Sequence, residues 1–220
     1  MKWIAWFGIA VLLSGCPMNT PSTYPRDARL YLQSHGVEAG LITKLTRHET
    51  LTATEVARLQ DFDNVAVQHL LGANLGTPAA LLATLAKHPN FEVRTGVASN
   101  PKAPLAVLLS LRVPGRYETV NNVLSGNPML PQKVLREMYR TGEAGVLGLA
   151  SNPNLPEDMM RAIDKEGDAL AHSTLARNPK LPRDLLEKYL ADKTLRNSAL
   201  ANPQIDPRYR RPQDEMLGGP

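Results

Sequence analysis

The sequence predicts an all-α protein, an α-solenoid of about five repeats of ~26 residues, and three observations predict it. Proline-bearing breaks recur at a fixed period. Their leading asparagines, Asn74, Asn100, Asn127, Asn152, Asn178 and Asn202, lie 26, 27, 25, 26 and 24 residues apart. After the second proline of a break, apolar residues fall at offsets +3, +4 and +7, one face of an α-helix of about three turns. Aromatics make up only 5% of the chain while Pro numbers 18, which suits many short helices with sharp stops better than a β-sandwich.

The chain opens MKWIAWFGIAVLLSGC. Lys2 supplies a positive n-region, residues 3–13 an apolar h-region, and Ser14 and Gly15 precede Cys16, the sole cysteine. About eleven apolar residues are too few to span a bilayer, so residues 1–15 read as a secretory signal. The motif Leu13-Ser14-Gly15-Cys16 resembles the lipobox of bacterial lipoproteins. The resemblance implies recognition of Leu13, Ser14 and Gly15 by the signal peptidase, cleavage before Cys16, a thioether-linked diacylglycerol on its sulfur, and acylation of the new amino terminus. A thiolate is the nucleophile such chemistry needs, and two or three acyl chains anchor a protein stably. Pro17 stands where members of that family retained in the inner membrane commonly carry Asp, so the implied destination is the outer membrane, facing the periplasm. Residues 16–27 are Pro/Ser/Thr-rich after the cysteine and read as a tether between lipid and folded body.

Residues 28–73 read as a helical N-terminal cap. Segment 28–48 carries a helix, and 51–74 is a degenerate repeat without the prolines, with a capping box at Thr52 and Glu55. The repeats proper occupy 74–204. Counting from Pro78, Pro104, Pro131, Pro156 and Pro182, the +3, +4 and +7 positions are apolar throughout, for example Leu81, Leu82 and Leu85 or Leu185, Leu186 and Tyr189. Proline suits the first helical position, whose N–H has no intrahelical partner. Each repeat has a shorter second half with an apolar residue three places before the asparagine, as at Val97, Leu124, Leu149 and Leu175, among small residues that imply close packing. Asn-Pro pushes the asparagine out of the α region and ends this second helix, and the asparagine side chain is expected to bond the nearby freed backbone. Residues 205–220 read as a C-terminal tail, where Asp206 intrudes before Pro207 and Arg208, Arg210 and Arg211 cluster.

Residues 85–104, LAKHPNFEVRTGVASNPKAP, resemble the unit of the leucine-rich repeat variant family, and the likeness covers about residues 74–204. It implies α-helices alternating with shorter, often 3₁₀-like helices in a right-handed superhelix. A founding member of that family carries an iron–sulfur module; with Cys16 alone, no cofactor is expected here. HEAT and armadillo arrays are the structural runner-up, but their units run to about 40–47 residues.

No catalytic constellation emerges. His48-Glu49 begins like a zinc-protease motif, but the i+4 position is Thr52. Asp158 and Asp184 recur one repeat apart in first helical turns, where carboxylates complement the helix dipole. Net charge is +4, a small excess that reads as spread along the chain, so nucleic acid is not an expected partner. The candidate binding residues are a row six and five places before each asparagine: Gln68 and His69, Arg94 and Thr95, Asn121 and Asn122, Val146 and Leu147, His172 and Ser173, Arg196 and Asn197. Stacking lines these up on one face, and solenoids use such faces to hold partners. The expected function is therefore non-catalytic: a membrane-anchored lipoprotein binding a protein partner as scaffold or inhibitor. The alternative is a lipid or glycan carrier using the superhelix groove.

Overall fold

A computed structural model describes residues 23–115 and 118–205; among them are fourteen α-helices and no strand. Helices α1 (Tyr24–Ser34), α2 (Ala39–Thr46), α3 (Ala53–Leu59) and α4 (Val65–Ala73) form the N-terminal part. Then first-half helices α5 (Ala79–Leu85), α7 (Leu105–Leu111), α9 (Gln132–Arg140), α11 (Glu157–Glu166) and α13 (Arg183–Ala191) alternate with second-half helices. The latter are α6 (Phe91–Ser99), α8 (Thr119–Ser125), α10 (Val146–Ser151), α12 (Ala169–Ala176) and α14 (Arg196–Leu200). From α4 onward each even-numbered helix packs on the next even-numbered one, giving one continuous row. The odd-numbered helices α5–α13 form a second layer against it.

Periodicity dictates what is buried. The +4 and +7 residues of every odd helix are in the core, from Leu82 and Leu85 to Leu186 and Tyr189. So are Val97, Leu124, Leu149 and Leu175 of the even helices. The residue before the second proline adds Ala103, Leu130, Leu155 and Leu181. Close approach within the row is tightest at two glycines: a Cβ on Gly96 would run into the His69 carbonyl, and one on Gly148 into the Asn122 carbonyl.

The prolines stand one place earlier than expected. Pro78, Pro104, Pro131, Pro156 and Pro182 are N-caps, with φ between −53° and −64° and ψ between 140° and 148°. Each carbonyl accepts the first helical hydrogen bond, and the missing N–H leaves no orphan donor behind.

The asparagines do more than the expected local bonding. The side-chain amide of Asn100 donates to the carbonyls of Gly72 and Asn74, both at 2.9 Å, in the preceding repeat. Asn127 reaches Ala98 and Asn100, Asn152 reaches Ser125 and Asn127, Asn178 reaches Ala150 and Asn152, and Asn202 reaches Ala176 and Asn178. Each Oδ1 accepts the N–H two residues on, for instance Asn154 N–H at 2.7 Å. Asn74 bonds the cap differently, its amide donating to the Glu49 carbonyl and its Oδ1 accepting the Leu51 N–H. All six are buried. Asn74 precedes Leu75 rather than proline yet has ψ 132°, close to the 113° of Asn100; the side-chain bonds therefore hold this backbone without help from Pro.

At the N-terminal end, Thr52 and Glu55 form the expected capping box. Segment 28–48 holds most of α1 and all of α2, where one helix was expected. Helix α1 begins at Tyr24, inside the stretch read as tether, and packs on α2 and α4 with Ala28 and Leu32 buried. Leu13, Ser14, Gly15, Cys16 and the tail from Asp206 lie outside the described residues.

Candidate functional site

The even-numbered helices bring the twelve row residues together, but turn much of their polarity inward. Six places before the asparagine, side chains bond back to backbone in their own repeat's interhelix corner. Gln68 Nε2–H donates to the Phe62 carbonyl, and Arg94 Nη1–H to those of His88 and Pro89, each at 2.8 Å. Asn121, wholly buried, accepts from Val113 N–H and donates to the Val113 carbonyl. His172 reaches the Asp164 carbonyl and Arg196 that of Leu190. Corner carbonyls freed at a helix end need such donors.

Val146 has no donor, and its corner is held by a different device. Glu143 is 1% exposed and takes Arg112 of the preceding corner through two bonds, Nε–Oε2 at 2.6 Å and Nη2–Oε1 at 3.0 Å. Oε1 also accepts the Gly115 N–H, and Glu137 joins the guanidinium. Hydrogen bonding to Arg112 holds the Glu143 carboxyl down at about 2.

Five places before the asparagine, Thr95 and Asn122 are buried, and Ser173 shares a 2.7 Å hydrogen bond with Ser198. Leu147 is half-buried and Asn197 exposed. His69 donates from Nδ1 to the Glu92 carbonyl at 2.6 Å, and its ring lies 4.2 Å from that of Tyr24. Burial lowers the His69 pKa, while burial and the Glu92 carboxylate push the Tyr24 phenol up to about 12. This contact pins the start of α1 to the row.

What the row leaves open is a groove of about 520 Å³ where the N-terminal ends of α6 and α8 diverge, lined by Pro89, Phe91, Arg94, Glu118, Thr119 and Val120. Phe91 is 47% exposed there, beside a guanidinium already oriented by its own corner. Of the expected row, the groove takes Arg94 alone. A lone Phe in a repeat sequence carries no signal that distinguishes it from core, so Phe91 could not be singled out beforehand.

Charge is not spread along the chain as expected. Residues 64–117 hold five Lys and Arg against Glu92 alone, so the whole excess of +4 resides in the first repeats and the remainder balances. Asp158 and Asp184, the recurrent carboxylates, pair with Arg136 and Arg161 of the preceding repeat. Among the described residues no group of three metal-ligating side chains assembles, and no helix is long and apolar enough to cross a membrane. Compared with protein-family models, curated proteins and solved structures, the chain matches none.

Proposed function

We propose that the protein is a lipid-anchored bacterial envelope protein whose stacked helices, a right-handed solenoid of leucine-rich-repeat-variant type, hold a protein partner without catalysis. The observation that carries this reading is the open groove between α6 and α8 on a row that asparagines tie together at every repeat. A face held in place by such bonds binds with little ordering cost, and aromatic residues and arginine are both enriched at protein interfaces. The Leu13–Cys16 motif supports the anchor.

The test is in-cell photocrosslinking from position 91, compared with position 187 on the far end of the outer layer. A reproducible protein adduct from 91 and none from 187 is expected; adducts from neither site overturn the partner. Mass spectrometry of the mature chain, and accumulation of precursor under globomycin, test lipidation of Cys16 separately.

A further inference from the structure

The outer layer changes character part-way along. In α9, α11 and α13 the positions one, two, five and six residues after the proline are almost all charged, and they join neighbouring repeats: Arg136 pairs with Asp158, and Arg161 with Asp184. In α5 and α7 the same positions read Ala79, Ala80, Ala83, Thr84 and Leu105, Ala106, Leu109, Ser110, without a charge. The places that hold an Arg–Asp pair later in the chain hold Ala83 with Ala106, and Leu109 with Lys133. This face is open, Leu109 being 40% exposed and Ala79, Ala80 and Ala106 exposed as well. Around it stand Lys87, Lys102 and Lys133, all exposed and without an ion-pair partner among the described residues. The one acid between Asp63 and Glu118, Glu92, lies on the even-numbered row against Tyr24 and His69.

We infer that the outer face of α5 and α7 lies on a membrane surface containing anionic lipid, while α9–α13 stay in water. An apolar face rimmed by lysine, with the nearby Glu137 carboxylate already taken by Arg112, is what interfacial binding uses: apolar area enters the headgroup boundary and the cations meet phosphates. The occupant follows from chain length also, a step that rests on the anchor proposed above. Only seven residues, 17–23, lie between Cys16 and Tyr24, so a lipid on Cys16 holds the body within about 28 Å of the bilayer, further than the thickness of two helix layers, about 20 Å. With the outer layer down, the groove at Phe91 on the other layer is left facing away from the lipid.

The experiment expresses the full chain with Leu109→Cys, or with Glu187→Cys at the matching position of α13, and labels the thiol with an environment-sensitive dye. Lipidation consumes Cys16, so each chain then offers one thiol. In vesicles of phosphatidylcholine and phosphatidylglycerol at 3:1, the dye at 109 is expected to shift to the blue and to be several-fold less quenched by aqueous iodide than the dye at 187. Lowering the phosphatidylglycerol to zero is expected to reduce that protection. Equal quenching at 109 and 187 overturns the proposal. So does protection at 109 that persists in detergent with a co-purifying protein, which marks a protein contact. If two thiols per chain are found, the anchor fails but the face does not: protection at 109 in vesicles to which the chain is merely added still upholds it, and its absence overturns it.

Discussion

The two layers of this protein obey different rules. The even-numbered row is uniform: the same buried asparagine donates to the same two carbonyls of the preceding repeat from Asn100 to Asn202. The odd-numbered layer is not, passing from neutral α5 and α7 to α9, α11 and α13 laced by Arg–Asp pairs. The difference follows from what each layer must satisfy. Stacking the row leaves backbone carbonyls buried between repeats, and a buried orphan costs about 1–3 kcal/mol, so every repeat needs the same amide. The ion pairs of the outer surface are exposed, where such pairs contribute at most about 1 kcal/mol, so stability does not dictate its residues. Variation along the outer layer is therefore free to serve something other than stability.

Removing one rung of the asparagine ladder tests the first half of that comparison and has the largest expected effect. Asn152→Ala strips partners from the Ser125 and Asn127 carbonyls and the Asn154 N–H. Three groups at the orphan cost above, partly relieved by relaxation, give a loss of about 4 kcal/mol in urea unfolding. Asn100→Ala and Asn178→Ala, on either side of the change in the outer layer, should lose amounts within about 1 kcal/mol of it, because the bonds they break are the same. A loss below about 1 kcal/mol at Asn152 would mean that the ladder follows the stacking instead of holding it.

Next in size is the pair that joins two corners where the outer layer changes. Arg112 and Glu143 are both largely buried, at 14% and 1% side-chain exposure, so removing one partner leaves the other charge stranded. Glu143→Gln is expected to cost up to about 3 kcal/mol at pH 7, the scale set by a carboxyl held near 2 against an ordinary value of 4.5. The folded pKa is the depressed one, so this stability is fully present above about pH 4.5 and is lost as pH falls toward 2. Wild type should therefore weaken through that window more steeply than the Gln variant, with the two unfolding curves converging near pH 2.

How much of this was legible beforehand depends on which atoms carry it. The repeat and its core were open to reading because Leu82, Leu108, Leu135, Met160 and Leu186 recur at one offset, and burial follows side-chain type. The capping box at Thr52 was legible because both partners lie within one turn. The direction of a polar side chain was not. Arg94, Asn121, His172 and Arg196 look alike on a helix surface whether they meet solvent or a corner carbonyl, and the carbonyl lies in a bend whose path only packing sets. The asparagine was seen as a helix stop, but its second acceptor sits about 26 residues away, beyond any local rule. Arg112 and Glu143, 31 residues apart, break the repeat spacing and leave no periodic trace. The neutral outer face of α5 and α7 was spelled out in AALLATL and LAVLLSL, yet the +3, +4, +7 pattern accounted for only its buried side.

The smallest effects belong to the outer layer, and they sharpen the comparison by separating stability from function. Arg161 bridges Glu157 in its own helix and Asp184 in the next, with its side chain 44% exposed. Arg161→Ala should cost about 0.5 kcal/mol in urea unfolding, and less in 1 M salt, where screening already weakens the pair. Leu109→Glu, at the equivalent place in α7, should change stability by no more than about 1 kcal/mol, since 40% of the residue is already exposed. Its cost should appear instead as weaker retention on vesicles containing phosphatidylglycerol once the acyl anchor is hydrolysed. Two outer positions of equal stability, one of which alone governs attachment, would show that the layers divide the work: the row holds the fold, and the outer surface carries what distinguishes one end of the array from the other. A Leu109→Glu loss above about 2 kcal/mol would place that residue in the core and remove the distinction.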